Sequence, residues 1–123
     1  MQRISRMIVM AFGLTAASAV AQPPHRRVVV VGNQSDPRVA KQHAALELDT
    51  ASLRERDVIV QDITPEAARR LRPNLGVDAL ATFEVLLVGK DGGVKLRRSE
   101  PVAAAEITAL IDTMPMRRNE MKR

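Results

Sequence analysis

The sequence predicts an α/β domain: a four-stranded mixed sheet with helices on both faces. Three observations carry this. Arg27–Val31 reads RVVVV, an unbroken β-branched run of the kind found in strands covered on both sides. Strand-like and helix-like periods then alternate in the order β-α-β-α-β-β-α, so the first two strands can be joined by a right-handed parallel crossover. The last two strands are separated only by Lys90-Asp91-Gly92-Gly93, a turn with the glycines a hairpin needs. At 123 residues the chain has room for one such domain and little more.

Each element has a local cause. Gln22–Arg26 is a flexible polar lead, and the strand 27–31 ends in the turn Gly32-Asn33-Gln34-Ser35. Asp36-Pro37 supplies an N-cap carboxylate and the residue best suited to the first helical position. The helix is expected to run to about Arg56. Val39, Leu46 and Leu53 mark its inner face, flanked by Ala40, Ala44, Leu48 and Ala51. Lys41, Gln42, Asp49 and Ser52 fall outside, with His43 and Thr50 at the border. Asp57–Ile63 (DVIVQDI) is the second strand. Thr64-Pro65-Glu66 opens a short helix that ends near Arg72, before Pro73. Thr82–Val88 (TFEVLLV) and Val94–Arg98 are the hairpin strands. Ser99-Glu100-Pro101 opens the last helix, whose inner face is Ala103, Ile107, Leu110, Ile111 and Met114. Pro115 stops it, and 115–123 reads as a basic C-terminal tail. The domain proper is therefore 27–114, and its element order is that of a minimal thioredoxin-like fold.

The first 21 residues have the pattern of a signal peptide. Arg3 and Arg6 form a basic start, Met7–Leu14 is a short apolar run, and Ala19-Val20-Ala21 is a small-x-small cleavage pattern. Cleavage after Ala21 would leave 102 residues in the periplasm or outside the cell, with no transmembrane helix in the mature chain. Arg3 and Arg6 are two of the 19 basic residues set against 14 acidic ones, so the formal charge falls from +5 to +3. That excess is too mild to indicate nucleic acid, and the mature chain has no aromatic interleaving for base stacking. The absence of cysteine excludes dithiol exchange, thiolate metal sites and disulfide scaffolding.

Phe83-Glu84-Val85-Leu86-Leu87-Val88-Gly89-Lys90-Asp91-Gly92-Gly93-Val94-Lys95-Leu96-Arg97 resembles a segment of the DUF4174 family. These are bacterial secreted thioredoxin-like domains of unknown function, also found in animal extracellular-matrix proteins. The segment Ile111–Met121 (IDTMPMRRNEM) resembles the family's C-terminal signature, and Asp36-Pro37-Arg38 before a helix fits as well. The resemblance covers most of Arg27–Met121. It implies the fold and export, and no particular reaction. The chain departs from the pattern before the first strand, where Pro23-Pro24-His25-Arg26 replaces an aromatic and arginine-containing segment. That strand also ends in Val31-Gly32, where the family has an Ala-Pro-like end.

Two surfaces are candidates for binding. One is the loop after the first strand, with Asn33, Ser35, Asp36 and Arg38, where redox-active thioredoxin-like proteins keep their cysteines. The other is a basic edge formed by Arg97, Arg98, Arg117 and Arg118, suited to an acidic protein or an anionic glycan or lipid surface. Arg69, Arg70 and Arg72 add charge on the short helix. A thiol-independent enzyme would place Ser35, Asp36, Arg38 and His43 around one pocket, but Ser35 has no activating base beside it in the sequence. A structural domain without a ligand site is the third reading. Gly89–Gly93 lacks the spacing and the following helix of a phosphate loop. His25 and His43 do not make a metal site, and no cofactor is expected.

Overall fold

The computed structural model describes residues 24–122. The expected signal peptide, Gln22 and Pro23 of the expected lead, and Arg123 lie outside those residues; Arg26, expected in the flexible lead, is instead the first residue of a strand and is buried. The strands are β1 (Arg26–Gly32), β2 (Val58–Ile63), β3 (Phe83–Val88) and β4 (Val94–Arg98). They form one sheet in the order β2-β1-β3-β4. β1 and β2 are parallel, with Val28 opposite Val60, and the other neighbours are antiparallel, with Val29 opposite Leu86 and Leu87 opposite Leu96. The expected mixed sheet is thus the observed one.

The helices are α1 (Pro37–Glu47), α2 (Thr50–Glu55), α3 (Pro65–Leu71), α4 (Ala104–Ile111) and α5 (Pro115–Met121), with a single 3-10 turn at Pro73–Leu75. Strand alternation sends Val28, Val30, Val85 and Leu87 to one face, where Val39, Leu46, Leu53, Ile107 and Ile111 cover them. Val29, Val31, Leu86 and Val88 go to the other face, under Ala68 and Leu75. The unbroken apolar runs Val28–Val31 and Val85–Val88 are explained by this double cover. Each fully buried Val or Leu stabilises the fold by about 1.5–3 kcal/mol. Gly32 lets α1 approach, because a Cβ there would lie 2.7 Å from Val39 Cγ2.

Five sequence expectations need correction. The first helix breaks at Leu48-Asp49, where Asp49 leaves helical geometry at φ −140° and ψ 42°. A straight helix over 37–56 would be about 30 Å long, against about 23 Å for a seven-residue strand. The break lets Leu46 and Leu53 both reach the core, and it turns Leu48 out to solvent. Gln42, expected outside, is fully buried and pairs with the Val102 backbone, its Nε2 donating to the carbonyl and its Oε1 accepting from N–H, both at 2.8 Å. The last core helix starts at Ala104 rather than Ser99, with Ala103 as an N-cap that has no side-chain bond. Ala103 itself is exposed, outside the inner face assigned to it. The expected basic tail forms α5 from Pro115 onward, and Arg117 is buried.

Candidate functional site

The loop after β1 is a tight turn followed by a strong helix cap. Asp36 N donates to the Asn33 carbonyl at 2.9 Å. The Asp36 carboxylate then accepts from the Arg38 backbone N–H at 2.9 Å. It also receives the Arg38 side chain, from Nε at 3.1 Å and from Nη2 at 2.8 Å. Arg38 Nη2 donates further to Thr82 Oγ1 at 3.0 Å, and the guanidinium lies 5.0 Å from the Phe83 ring centre. The Arg38 side chain, and then its backbone N–H, hold the Asp36 carboxyl below its ordinary pKa. Asp36 in turn raises that of Arg38.

This geometry gives the loop its character. A paired Asp36 and Arg38 make it electrically neutral. Arg38 ties it to the segment before β3 and stacks on Phe83, the one phenylalanine among the described residues. Asn33, Gln34 and Ser35 remain exposed beside that tie. Ser35 has no side-chain hydrogen bond among the described residues. His43 Nε2 is 2.7 Å from Asp62 Oδ1 on β2, so it is committed there and not to Ser35. Thr82 and Phe83 were legible only as strand residues, because their part in the loop depends on the β1–β3 register that sets Gly32 against Phe83.

The four arginines of the expected basic edge have four different fates. Arg97 reaches back under the sheet, donating to Glu84 Oε1 at 2.9 Å and to the carbonyls of Leu75 and Gly76, so it closes the 3-10 turn. Arg98 pairs with Glu106 at 2.7 Å on the surface. Arg117 is buried between Glu55, at 2.7 Å, and Asp112, at 3.2 Å. Arg118 alone is exposed without a side-chain partner among the described residues. Arg69, on α3, is also spoken for, donating to the Asp78 and Ala81 carbonyls.

Arg117 belongs to an interior ion network that composition alone gives no hint of. Arg26 is 1 % exposed, with Nη1 donating to the Arg56 carbonyl at 2.9 Å and both terminal nitrogens 3.3 Å from Glu120. Lys90 Nζ donates to Asp57 and to Glu120, each at 2.8 Å. Arg56 grips Asp112 through two bonds of 2.9 Å. Burial pushes the Glu120 carboxyl up, but Lys90 and Arg26 outweigh it and hold the group below its ordinary pKa. Arg56 does the same for Asp112. Arg117, which reads as tail charge in the sequence, and Glu120 thus close the base of the fold from α5.

A separate hollow of about 350 Å³ lies beside β2, lined by residues that include His43, Leu46, Leu53, Arg54, Val58 and Val60. Among the described residues no group of three His, Asp or Glu is arranged to hold a metal ion. No described helix is long and apolar enough to cross a membrane.

The architecture is similar to two solved thioredoxins. One is thioredoxin-2, a component of the malaria parasite protein secretion machinery. It is 11% identical, with TM-score 0.54, covering 93% of this chain and 99% of its own. The other is chloroplastic thioredoxin z, 20% identical, with TM-score 0.55, covering 89% and 100% respectively. At such identities the likeness shows the fold alone, and here that fold carries no cysteine. No curated protein matches the chain. The family model described as a domain of unknown function, DUF4174, matches residues 21–120, which includes most of α5. With that match spanning most of its length, the chain belongs to the DUF4174 family of thioredoxin-like domains.

Proposed function

We propose that this protein is an exported binding module that works without thiol chemistry and engages its partner through the polar loop after β1. One observation carries the reading: the Asp36–Arg38–Thr82 tie. It holds the loop rigid and neutral while leaving the amides of Asn33 and Gln34 and the hydroxyl of Ser35 free to bond. A preorganised set of donors and acceptors loses little entropy on binding. The partner that suits it is a protein segment offering backbone and side-chain hydrogen bonds. An anionic glycan or lipid surface is less well served, because Arg117 is buried and Arg97 and Arg98 are each paired with a carboxylate. The enzyme alternative has no support from Ser35, which lacks a base, or from His43, which is engaged by Asp62. Export rests on the leader pattern of Arg3, Arg6, Met7–Leu14 and Ala19-Val20-Ala21.

The test has two parts. The intact mass of the protein recovered from its host should begin at Gln22. A retained Met1 refutes export. Capture of partners by the protein should then be lost in N33A/S35A and kept in R98A/R118A. The opposite pattern would return the reading to the basic edge.

A further inference from the structure

The hollow of about 350 Å³ lies between β2 and the helices α1 and α2, and charge is ordered along it. The helices run opposite to β2, since His43 Nε2 meets Asp62 Oδ1 at 2.7 Å and, further along the helices, the Arg54 carbonyl accepts from Asp57 N at 3.0 Å. Glu47 is one helical turn beyond His43. Its carboxylate is exposed and has no side-chain partner among the described residues. Asp62, near the same end, is taken by His43. Arg54 marks the other end, exposed and again without a side-chain partner among the described residues. His25 joins it there, since the next residue, Arg26, is in register with Val58. Asp57, the lining carboxylate at this end, is bonded to Lys90 at 2.8 Å. An uncommitted anion therefore stands at the Val60 end and an uncommitted cation at the Val58 end, with Leu46, Leu53, Val58 and Val60 as an apolar floor between them.

We infer that this hollow binds a free tripeptide with apolar first and third residues, laid antiparallel along Val58–Val60. β2 is an edge strand. Arg26 N donates to the Asp57 carbonyl at 3.0 Å, so Asp57, Ile59 and Gln61 turn their backbone groups toward β1, and Val58 and Val60 turn theirs outward. The charge order sets the polarity: the peptide amine goes to Glu47, and its carboxylate goes to Arg54 and His25. The length agrees. Glu47 and Arg54 are seven positions apart, about 10 Å along helical backbone, and an extended tripeptide spans about 10 Å. Its first residue, opposite Val60, and its third, opposite Val58, exchange main-chain hydrogen bonds with the outward groups. Their side chains share the face of Val58 and Val60 and meet Leu46 and Leu53. The middle residue, opposite Ile59, points to the other face of the sheet. Main chain and termini supply affinity, and the apolar floor selects the side chains.

The probe is Val-Ala-Val with both termini free. It is titrated into the protein, in the form its host accumulates, by isothermal calorimetry and by amide nuclear magnetic resonance. One peptide should bind per chain, and the Val58 and Val60 amides should shift while those of Asn33 and Ser35 stay in place. Acetylating the amine or amidating the carboxyl should each weaken binding by about tenfold or more. E47Q should weaken the free peptide by a similar factor and leave the acetylated one no weaker. R54Q should behave the same way toward the amidated peptide. Both residues are exposed, so neither variant threatens the fold. Ala-Val-Ala, whose valine is turned away from the floor, should bind at least about fivefold more weakly. The absence of binding at millimolar peptide overturns the inference. So does a peptide blocked at both ends that binds as well as the free one, which would assign this edge to an internal segment of a partner chain. Shifts of Val58 and Val60 that grow with protein concentration alone would assign it to a second copy, and they overturn the inference too. None of these outcomes bears on the loop after β1.

Discussion

Glu120 is the residue whose removal most directly tests the interior ion network. Glu120→Ala leaves the Arg26 guanidinium, 1 % exposed, with the Arg56 carbonyl as its remaining partner. It also takes one of two anions from Lys90. The 3.3 Å contacts to Arg26 are long for charge-assisted bonds, so little is lost with the bonds themselves. The cost is the desolvation of a buried cation left unpaired, which runs to 3–5 kcal/mol for a fully buried pair. Glu120 is 21 % exposed, so water can partly replace it and the lower end applies, about 3 kcal/mol. For a domain of this size, with a urea m-value of about 1–1.5 kcal/mol/M, the unfolding midpoint should fall by about 2–3 M. The chain has no Trp and no Tyr, so the assay is far-UV circular dichroism rather than intrinsic fluorescence. Arg118→Ala, three positions from the Met121 end of the same helix, should change stability by less than about 0.5 kcal/mol. If Glu120→Ala cost less than about 1 kcal/mol, Arg26 would have to be solvated, and α5 would not be an integral part of the fold.

Three further outcomes follow from the geometry. Gln42→Leu strips the Val102 N–H and carbonyl of their only described partner and should cost about 2–4 kcal/mol by the same unfolding assay, although the new side chain is apolar. Asp36→Ala removes the cap of α1 and should cost about 1 kcal/mol, with Arg38 losing its fixed position over Phe83 in nuclear magnetic resonance relaxation. Asp36, Asp91, Asp112 and Glu120 all sit below their ordinary pKa in the folded chain. A lowered folded pKa contributes stability that is present above the unfolded value, about 4, and lost as pH falls through the folded one. The urea midpoint should therefore drop in the acid range below about pH 4, and Glu120→Gln should flatten part of that drop.

The strands were legible because their signal is local. Val28–Val31 and Val85–Val88 are unbroken apolar runs, the pattern of a doubly covered strand. The Thr64-Pro65 and Asp36-Pro37 caps were legible for the same reason, since each bonds within three residues of itself. What was not legible depends on distant partners. Gln42 reads as a surface residue until Val102 lies 60 positions away to receive it. Arg117 reads as tail charge until Glu55 and Asp112 surround it. Periodicity places a side chain on a face, but it does not say that a cation will find two anions there. The break at Leu48-Asp49 was hidden because Val39, Leu46 and Leu53 keep their spacing straight across it.

The distribution of charge decides how this protein can recognise anything. The sequence carries a formal excess of +5 with an apparent wealth of arginine. In the fold Arg26, Arg38, Arg56, Arg97 and Arg117 each face a carboxylate within 3.3 Å, and Lys90 faces two. Such paired charges contribute little to the field beyond the Debye length, about 8 Å in physiological salt. Long-range steering of an acidic partner is therefore weak, and short-range bonding at the loop has to supply specificity. The consequence is measurable. Partner capture through Asn33 and Ser35 should change by less than about threefold between low and physiological salt, since few free charges are neutralised on contact. A steep loss with salt would mean that the unpaired cations, Arg118 among them, make the contact, and the loop would cease to be the recognition surface.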